Sequence, residues 1–337
     1  MAEMIKVVVD AMGGDHAPAE PVKGACAALK ERNDVSLILT GDQEKIEAEL
    51  AKYPDVPRDR IRIVHTTEVI ETAEPPVNAI RKKKNSSIVV GLNLVKNGEA
   101  DAIVSSGSTG ALLVGGTVLI GRIKGVERAP IAVLIPTVKG VSLLIDGGAN
   151  VDARPSHLVQ FAQMGSIYME NILGIKSPKV GIVNNGAEED KGNALVKETF
   201  PLLKETEGIN FTGSVEAREI PFGETDVIVC DAFVGNAILK LYEGTAAALL
   251  SIVKKSMMSS LRSKIGALLV KPALKSALKD FDASQYGGAP LLGIKGLVVK
   301  THGSAKAIEF QHAIGQCADF TASKIQEKIA ERLVVSE

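Results

Sequence analysis

Short apolar runs rich in Val and Ile recur along the chain, separated by longer segments with helical spacing, and this alternation constrains the fold more than any other feature. The runs are Ile5–Val9, Val35–Leu39, Ile61–Val64, Ala102–Val104, Ile131–Ile135, Val141–Ile145, Val180–Val183 and Val227–Cys230. Several are apolar without interruption, as strands covered by helices on both faces must be. The rhythm predicts an α/β fold on a doubly wound, mostly parallel sheet. A chain of 337 residues is long enough for two modest domains or one large unit. With no internal repeat to divide it, residues 1–337 read as a single α/β unit.

Composition removes several functions. Lys and Arg number 39 against 40 Asp and Glu, a formal net charge of -1, so bulk electrostatics gives no hold on nucleic acid. Cys26, Cys230 and Cys317 lie far apart without a Cys-x-x-Cys pair, which points to neither a disulfide framework nor zinc. A reducing cytoplasm fits. The start lacks the apolar core of a signal peptide, and no uncharged run reaches membrane-spanning length. The expectation is a soluble protein that meets a membrane only at its surface. No Walker loop, Gly-x-Gly-x-x-Gly after the first strand, or Gly-x-Ser-x-Gly elbow is present.

In open α/β sheets ligands bind beyond the carboxyl ends of the strands, so the residues after each run are the candidates. After Val9 come Asp10, Gly13, Gly14, Asp15 and His16; after Val104 come Ser105, Gly107, Ser108, Thr109 and Gly110; after Ile145 come Asp146, Asn150 and Asp152. Further on lie Lys191 before Gly192, and Asp231 followed by Gly235 and Asn236. The Ser105–Gly110 loop reads either as a phosphate cradle or as a serine cap on a glycine turn. Lys191 reads either as a cation for phosphate or an oxyanion at a helix start, or as a solvated lysine. The strand-end aspartates suit metal binding, base catalysis or helix capping, with capping the default for any one of them. His16 reads either as an acid-base group or as a loop tether. His65, His157, His302 and His312 lack metal-ligand spacing, and no metal is expected.

A composition shift between 249 and 281 marks a basic segment, read as a helical insertion or a second, smaller lobe. From Leu249 to Lys279 there is no Asp or Glu, while Lys254, Lys255, Arg262, Lys264, Lys271, Lys275 and Lys279 are all cationic. Leu250, Val253, Met257, Leu261, Ile265 and Leu268 recur at three- and four-residue steps, which would gather them on one helical face opposite most of the cations. Such a segment suits an anionic membrane interface or an acidic partner, with Leu261 and Ile265 inserting and Lys254, Lys255, Arg262 and Lys264 holding charge. The alternative is a core-packing helix with a solvated face. Pro272 is expected to break it into a helical hairpin. Arg81 to Lys84 form a second basic cluster.

Taken in order, these loops resemble the PlsX-type phosphate acyltransferase family of bacterial phospholipid synthesis. The opening Ile5-Lys-Val-Val-Val-Asp-Ala-Met-Gly-Gly-Asp-His-Ala-Pro18 is close to that family's start, and Arg81–Ser86, Gly121–Gly125, Asp146–Asp152, Tyr286–Ala289 and His302–Ser304 match further on. The likeness spans nearly the whole chain. Departures are Ser108, where the family often has Asn, Ala232 in place of Gly, and Asn185 and Ala187 in the Lys191 loop.

The resemblance implies a fold similar to phosphotransacetylases and to isocitrate and isopropylmalate dehydrogenases. It also implies a homodimer that moves a long-chain acyl group from acyl carrier protein to inorganic phosphate, with no cofactor. The acyl phosphate would serve phospholipid synthesis and pass to a membrane glycerol-3-phosphate acyltransferase from a cytoplasmic enzyme resting on the inner face of the membrane. On that reading Ser105, Ser108, Thr109 and the loop amides of Gly107 and Gly110 bind phosphate with Lys191. Asn236 donates to the oxyanion, His16 and Asp10 handle a proton or position phosphate, and Gly13, Gly14, Asp15, Asn150, Asp152 and Asp231 support the loops. Two rivals remain: a decarboxylating 2-hydroxy-acid dehydrogenase of similar architecture, using a nicotinamide and a divalent ion, and a non-catalytic membrane-surface scaffold for the carrier protein.

Overall fold

The computed structural model describes residues 4–279 and 286–334, so residues 280 and 281 of the basic segment lie outside the described residues. Its strands are β1 (Ile5–Asp10), β2 (Val35–Gly41), β3 (Ile61–His65), β4 (Ala102–Ser105), β5 (Ala132–Thr137), β6 (Gly140–Ile145), β7 (Lys179–Asn184), β8 (Asn210–Glu216), β9 (Val227–Val229), β10 (Ala289–Leu291) and β11 (Leu297–Lys300). Its helices are α1 (Ala19–Glu31), α2 (Gln43–Leu50), α3 (Pro76–Lys82), α4 (Ser87–Lys96), α5 (Thr109–Gly115), α6 (Pro155–Ile172), α7 (Ala194–Glu205), α8 (Ala232–Met257), α9 (Leu261–Lys279), α10 (Ala307–Ser323) and α11 (Ile325–Val334).

The strands divide between two sheets where the sequence reading expects one. The first has the order β10-β11-β4-β1-β2-β3 and the second β5-β6-β9-β7-β8; each is parallel except for its edge strand, β10 or β5. The division has a local cause. The tight β5–β6 turn at Gly140, with φ 126°, makes an antiparallel pair, and β6 then takes β9 as its parallel neighbour. An isolated bridge from Ile131 to Leu291 joins the edges of the two sheets.

Central strands are apolar because both faces are covered. Val7, Val8 and Val9 of β1 and Ile103 and Val104 of β4 are fully buried. Helices α1 and α10 cover one face of the first sheet, and Gly24 lets them approach: a Cβ there would lie 2.5 Å from the Ala307 carbonyl oxygen. Phe310 and Phe320 of α10 are fully buried, each stabilising the fold by roughly 1.5–3 kcal/mol.

The basic segment is divided between two helices, but the break falls at Met258–Ser260 and not at Pro272. Ser260 starts α9 by accepting from the Ser263 N–H at 3.1 Å, while Pro272 sits inside α9 on an exposed face, where water can take the carbonyl bond that proline forgoes. The six apolar residues of the expected stripe are therefore shared between two helices. From Glu243 to Ser256 every residue of α8 is exposed, and Leu261, Leu268 and Leu269 of α9 are more than two-thirds exposed. None of the helices among the described residues is long and apolar enough to cross a membrane.

Candidate active site

At the carboxyl ends of the first sheet, β1 stands between β2 and β4, so the chain leaves β1 in one direction and returns on its other side. The loops after β1, β4 and β11 meet there. Asp10, fully buried, accepts from Ser105 Oγ at 2.6 Å and from the Met12 N–H at 3.1 Å; Ser105 Oγ in turn accepts from the Gly107 N–H at 3.0 Å. Ser106 Oγ donates to the Gly13 carbonyl at 2.6 Å, and the Asp15 N–H donates to the Gly303 carbonyl at 2.8 Å. Gly14, at φ 87°, is pressed between them. Burial raises the Asp10 carboxyl above its usual range, against the lowering effect of its hydrogen bonds to Ser105, Ser87 and the turn amides.

The second sheet contributes a matching knot. Asp146 at the end of β6 accepts from the N–H groups of Ile131, Gly148, Ala149 and Asn150 and from Asn150 Nδ2, at 2.7–3.1 Å. Asp231 caps α8 by accepting from the Phe233 and Val234 N–H groups at 2.9 and 3.0 Å, and the Ala232 N–H donates to the Asn150 carbonyl at 3.0 Å. Asn236, expected among the residues that follow a strand, lies inside α8 and not in a loop.

Both sets of strand ends open on one cleft of about 820 Å³. Ser106, Gly107 and Thr109 line it from the first sheet, Gly147 and Gly148 from the second, Asn236 and Lys240 from α8, and Lys300 to Gly303 from the end of β11. Apolar Ile131, Val133, Leu134, Phe233 and Leu239 line it as well. A larger groove of about 1210 Å³, lined by Glu127, Glu170, Glu205 and Lys328, lies between α6, α7 and α11 and holds none of these loops.

The expected site residues separate by position. Asp10, Gly13, Gly14, Ser105, Gly107 and Thr109 come together with Asn236 around the cleft. Ser108 caps α5 by accepting from the Ala111 N–H at 3.3 Å, and Gly110 lies inside that helix against Pro76. His16, Asp152 and Lys191 are exposed and do not line the cleft, and Lys191 precedes α7 by a short loop whose cap is Asn193. Among the described residues no group of three or more His, Cys, Asp or Glu side chains could hold a metal ion.

Lys300 was missed. Its ammonium donates to the Ser106 carbonyl at 3.3 Å and to the Thr301 carbonyl, inside the cleft. Burial pushes it down to about 8, Asp10 and Asp15 pull it up, and Lys240 pushes it further down. The apolar run Leu297–Val299 before it carries the same signal as the other buried strands.

A family model described as fatty acid synthesis protein matches residues 5–328. The phosphate acyltransferase of Alkaliphilus oremlandii (strain OhILAs) is 53% identical, over 97% of each chain. The chain belongs to the phosphate acyltransferase family. A second phosphate acyltransferase, from Clostridium acetobutylicum, is 49% identical over 97% of this chain and 98% of its own. Family membership makes the protein an acyltransferase of fatty acid and phospholipid synthesis, which sets aside the dehydrogenase and scaffold readings. The phosphate acyltransferase fold also matches a phosphotransacetylase from Streptococcus pyogenes, with TM-score 0.61 and 16% identity over 97% of this chain and 95% of that one. The EutD phosphotransacetylase from Staphylococcus aureus matches with TM-score 0.57 and 17% identity over 96% and 94%.

Proposed function

We propose that the enzyme transfers a long-chain fatty acyl group from acyl carrier protein to inorganic phosphate, giving acyl phosphate for phospholipid synthesis. The observation that carries this reading is the composition of the cleft: polar strand-end loops with a half-buried lysine, beside an apolar lining of Ile131, Val133, Leu134, Phe233 and Leu239. A dianion and an acyl chain need those two environments side by side.

The thioester is already electrophilic, so phosphate itself serves as the nucleophile and the protein need not supply one. A phosphate oxygen attacks the carbonyl carbon, the carbon–sulfur bond breaks, and the departing sulfur takes up the proton that monohydrogen phosphate gives up. Asn236 donates to the carbonyl oxygen as it gains charge. Thr109 and the first amides of α5 hold phosphate, because the first turn of a helix leaves its N–H groups without intrahelical partners. Ser105 and Ser108 shape that loop through the bonds they already make. Asp10 positions the loop from beneath, His16 is a candidate for moving the proton, and Lys191 is a candidate second cation. A Lys191→Ala enzyme with full turnover would remove that residue.

A homodimer and peripheral attachment to the inner membrane face belong to the same proposal. The exposed apolar and cationic side chains of α8 and α9, with Leu261, Ile265, Lys254, Lys255, Arg262 and Lys264 among them, suit an anionic lipid surface. There the acyl phosphate could pass to a membrane glycerol-3-phosphate acyltransferase. The donor is tested by offering palmitoyl acyl carrier protein and palmitoyl coenzyme A separately; faster acyl phosphate formation from coenzyme A would overturn the carrier assignment.

A further inference from the structure

We infer that Lys300 and Thr301, at the end of β11, form the anion-binding centre of the cleft and hold the phosphate. This rests on the acyl-transfer reading and names the residues that serve it.

Three observations meet at this position. Lys300 lines the cleft with its ammonium on the Ser106 carbonyl, within the loop that turns from β4 into α5. The ammonium's own hydrogen bonds go to two neutral carbonyls, and an anion arriving in the cleft would give it a directly bonded charged partner. Thr301 also lines the cleft, is 3% exposed, and its Oγ1 finds no hydrogen-bond partner among the described residues. An unsatisfied buried hydroxyl is costly, and a phosphate oxygen would satisfy it.

The third is how firmly the pair is fixed. β11 pairs in parallel with β4, setting Lys300 against Ser105, and the Thr301 N–H donates to the Ser105 carbonyl at 3.0 Å. The same Ser105 is bonded to Asp10, so cation, hydroxyl and the loop after β4 are tied to one another through it. The groups facing the ammonium are Asp10 from β1, Asp15 from the following loop and Lys240 from α8. Burial lowers the lysine, and a dianion bound beside it would offset that effect by favouring the charged form.

The test is phosphate kinetics on purified enzyme. Lys300→Gln should raise the phosphate KM about ten- to a hundredfold, the loss expected of one charge-assisted hydrogen bond, with the acyl-donor KM little changed. Lys300→Arg should recover part of the loss, and Thr301→Val should raise the phosphate KM where Thr301→Ser does not. A Lys300→Gln enzyme with the wild-type phosphate KM would overturn the assignment. A second measurement needs no variant: reductive methylation of the wild-type protein, read by peptide mass spectrometry, should be slowed at Lys300 by inorganic phosphate. Equal labelling with and without saturating phosphate would equally overturn it. Protection is read without turnover, so a protein protected by phosphate but inactive on carrier thioester would sink the acyl-transfer reading and leave this assignment standing.

Discussion

Asp10 and Ser105, 95 residues apart in the chain, share a hydrogen bond of 2.6 Å across the ends of two adjacent strands. The bond converts two loops that the sequence presents separately into one rigid floor. Ser105→Ala removes the donor to a buried carboxyl and the acceptor for the Gly107 N–H together. The expected cost is about 1–3 kcal/mol, seen as a lower urea midpoint, with a raised phosphate KM as the loop loosens. An unchanged midpoint would mean that the floor does not depend on this bond.

Gly14→Ala should be more damaging to activity than its size suggests. The residue sits at φ 87°, and a Cβ there would stand 2.8 Å from the Gly303 carbonyl oxygen and 2.9 Å from Ser106 Cβ. Strain of roughly 1–3 kcal/mol and a shift of the β11 loop away from the β4 loop are expected. The check is thermal unfolding alongside turnover; full turnover would show that the spacing of these loops is not critical.

Lys300 gives the fold a distinctive response to pH. Its ammonium is pushed down to about 8 from an ordinary 10.5, so between those values the unfolded chain holds more protons than the folded one. This group's contribution to stability is therefore least favourable below about pH 8 and improves as the pH rises toward 10.5. Lys300→Met should flatten that part of the profile, measured by urea unfolding at neutral pH and at about pH 10. Phosphate affinity should move the opposite way in the wild type, weakening as the ammonium deprotonates. A variant whose stability profile matches the wild type's would contradict the first statement, and wild-type phosphate affinity that does not weaken over the same range would contradict the second.

Much of the fold was legible in the sequence. Strands β1 to β7 and β9 follow from apolar runs, most plainly in central strands such as β1 and β4, where burial on both faces leaves no polar alternation to confuse them. β8 reads Asn-Phe-Thr-Gly-Ser-Val-Glu, a half-exposed edge without such a run, and β10 is only three residues with a proline inside. The site was legible in part. The polar loops could be found from their place after strands, and the short apolar run Leu297–Val299 offered Lys300 the same signal, but one lysine after three apolar residues does not by itself separate a cleft cation from a solvated one. Its burial arises from the pairing of β11 with β4 and from loops that start near residues 10 and 105. Conversely, Lys191 stands beside acids and a glycine in sequence, yet the fold leaves it exposed outside the cleft.

The pair of helices α8 and α9 carries its own prediction. Leu261 is 77% exposed, so Leu261→Glu should change stability by no more than about 0.5 kcal/mol. Binding to vesicles containing anionic lipid should fall sharply, in a sedimentation assay at low ionic strength. Undiminished vesicle binding would remove this residue from the membrane contact.

The central claim is that phosphate attacks the carrier-bound acyl group directly in the cleft. Purified enzyme is mixed with palmitoyl acyl carrier protein and inorganic phosphate labelled with oxygen-18 throughout, and products are resolved by mass spectrometry. The account predicts palmitoyl phosphate retaining every labelled oxygen, with one carrier thiol released for each product molecule. Free palmitate without acyl phosphate, from well-folded protein, would contradict it.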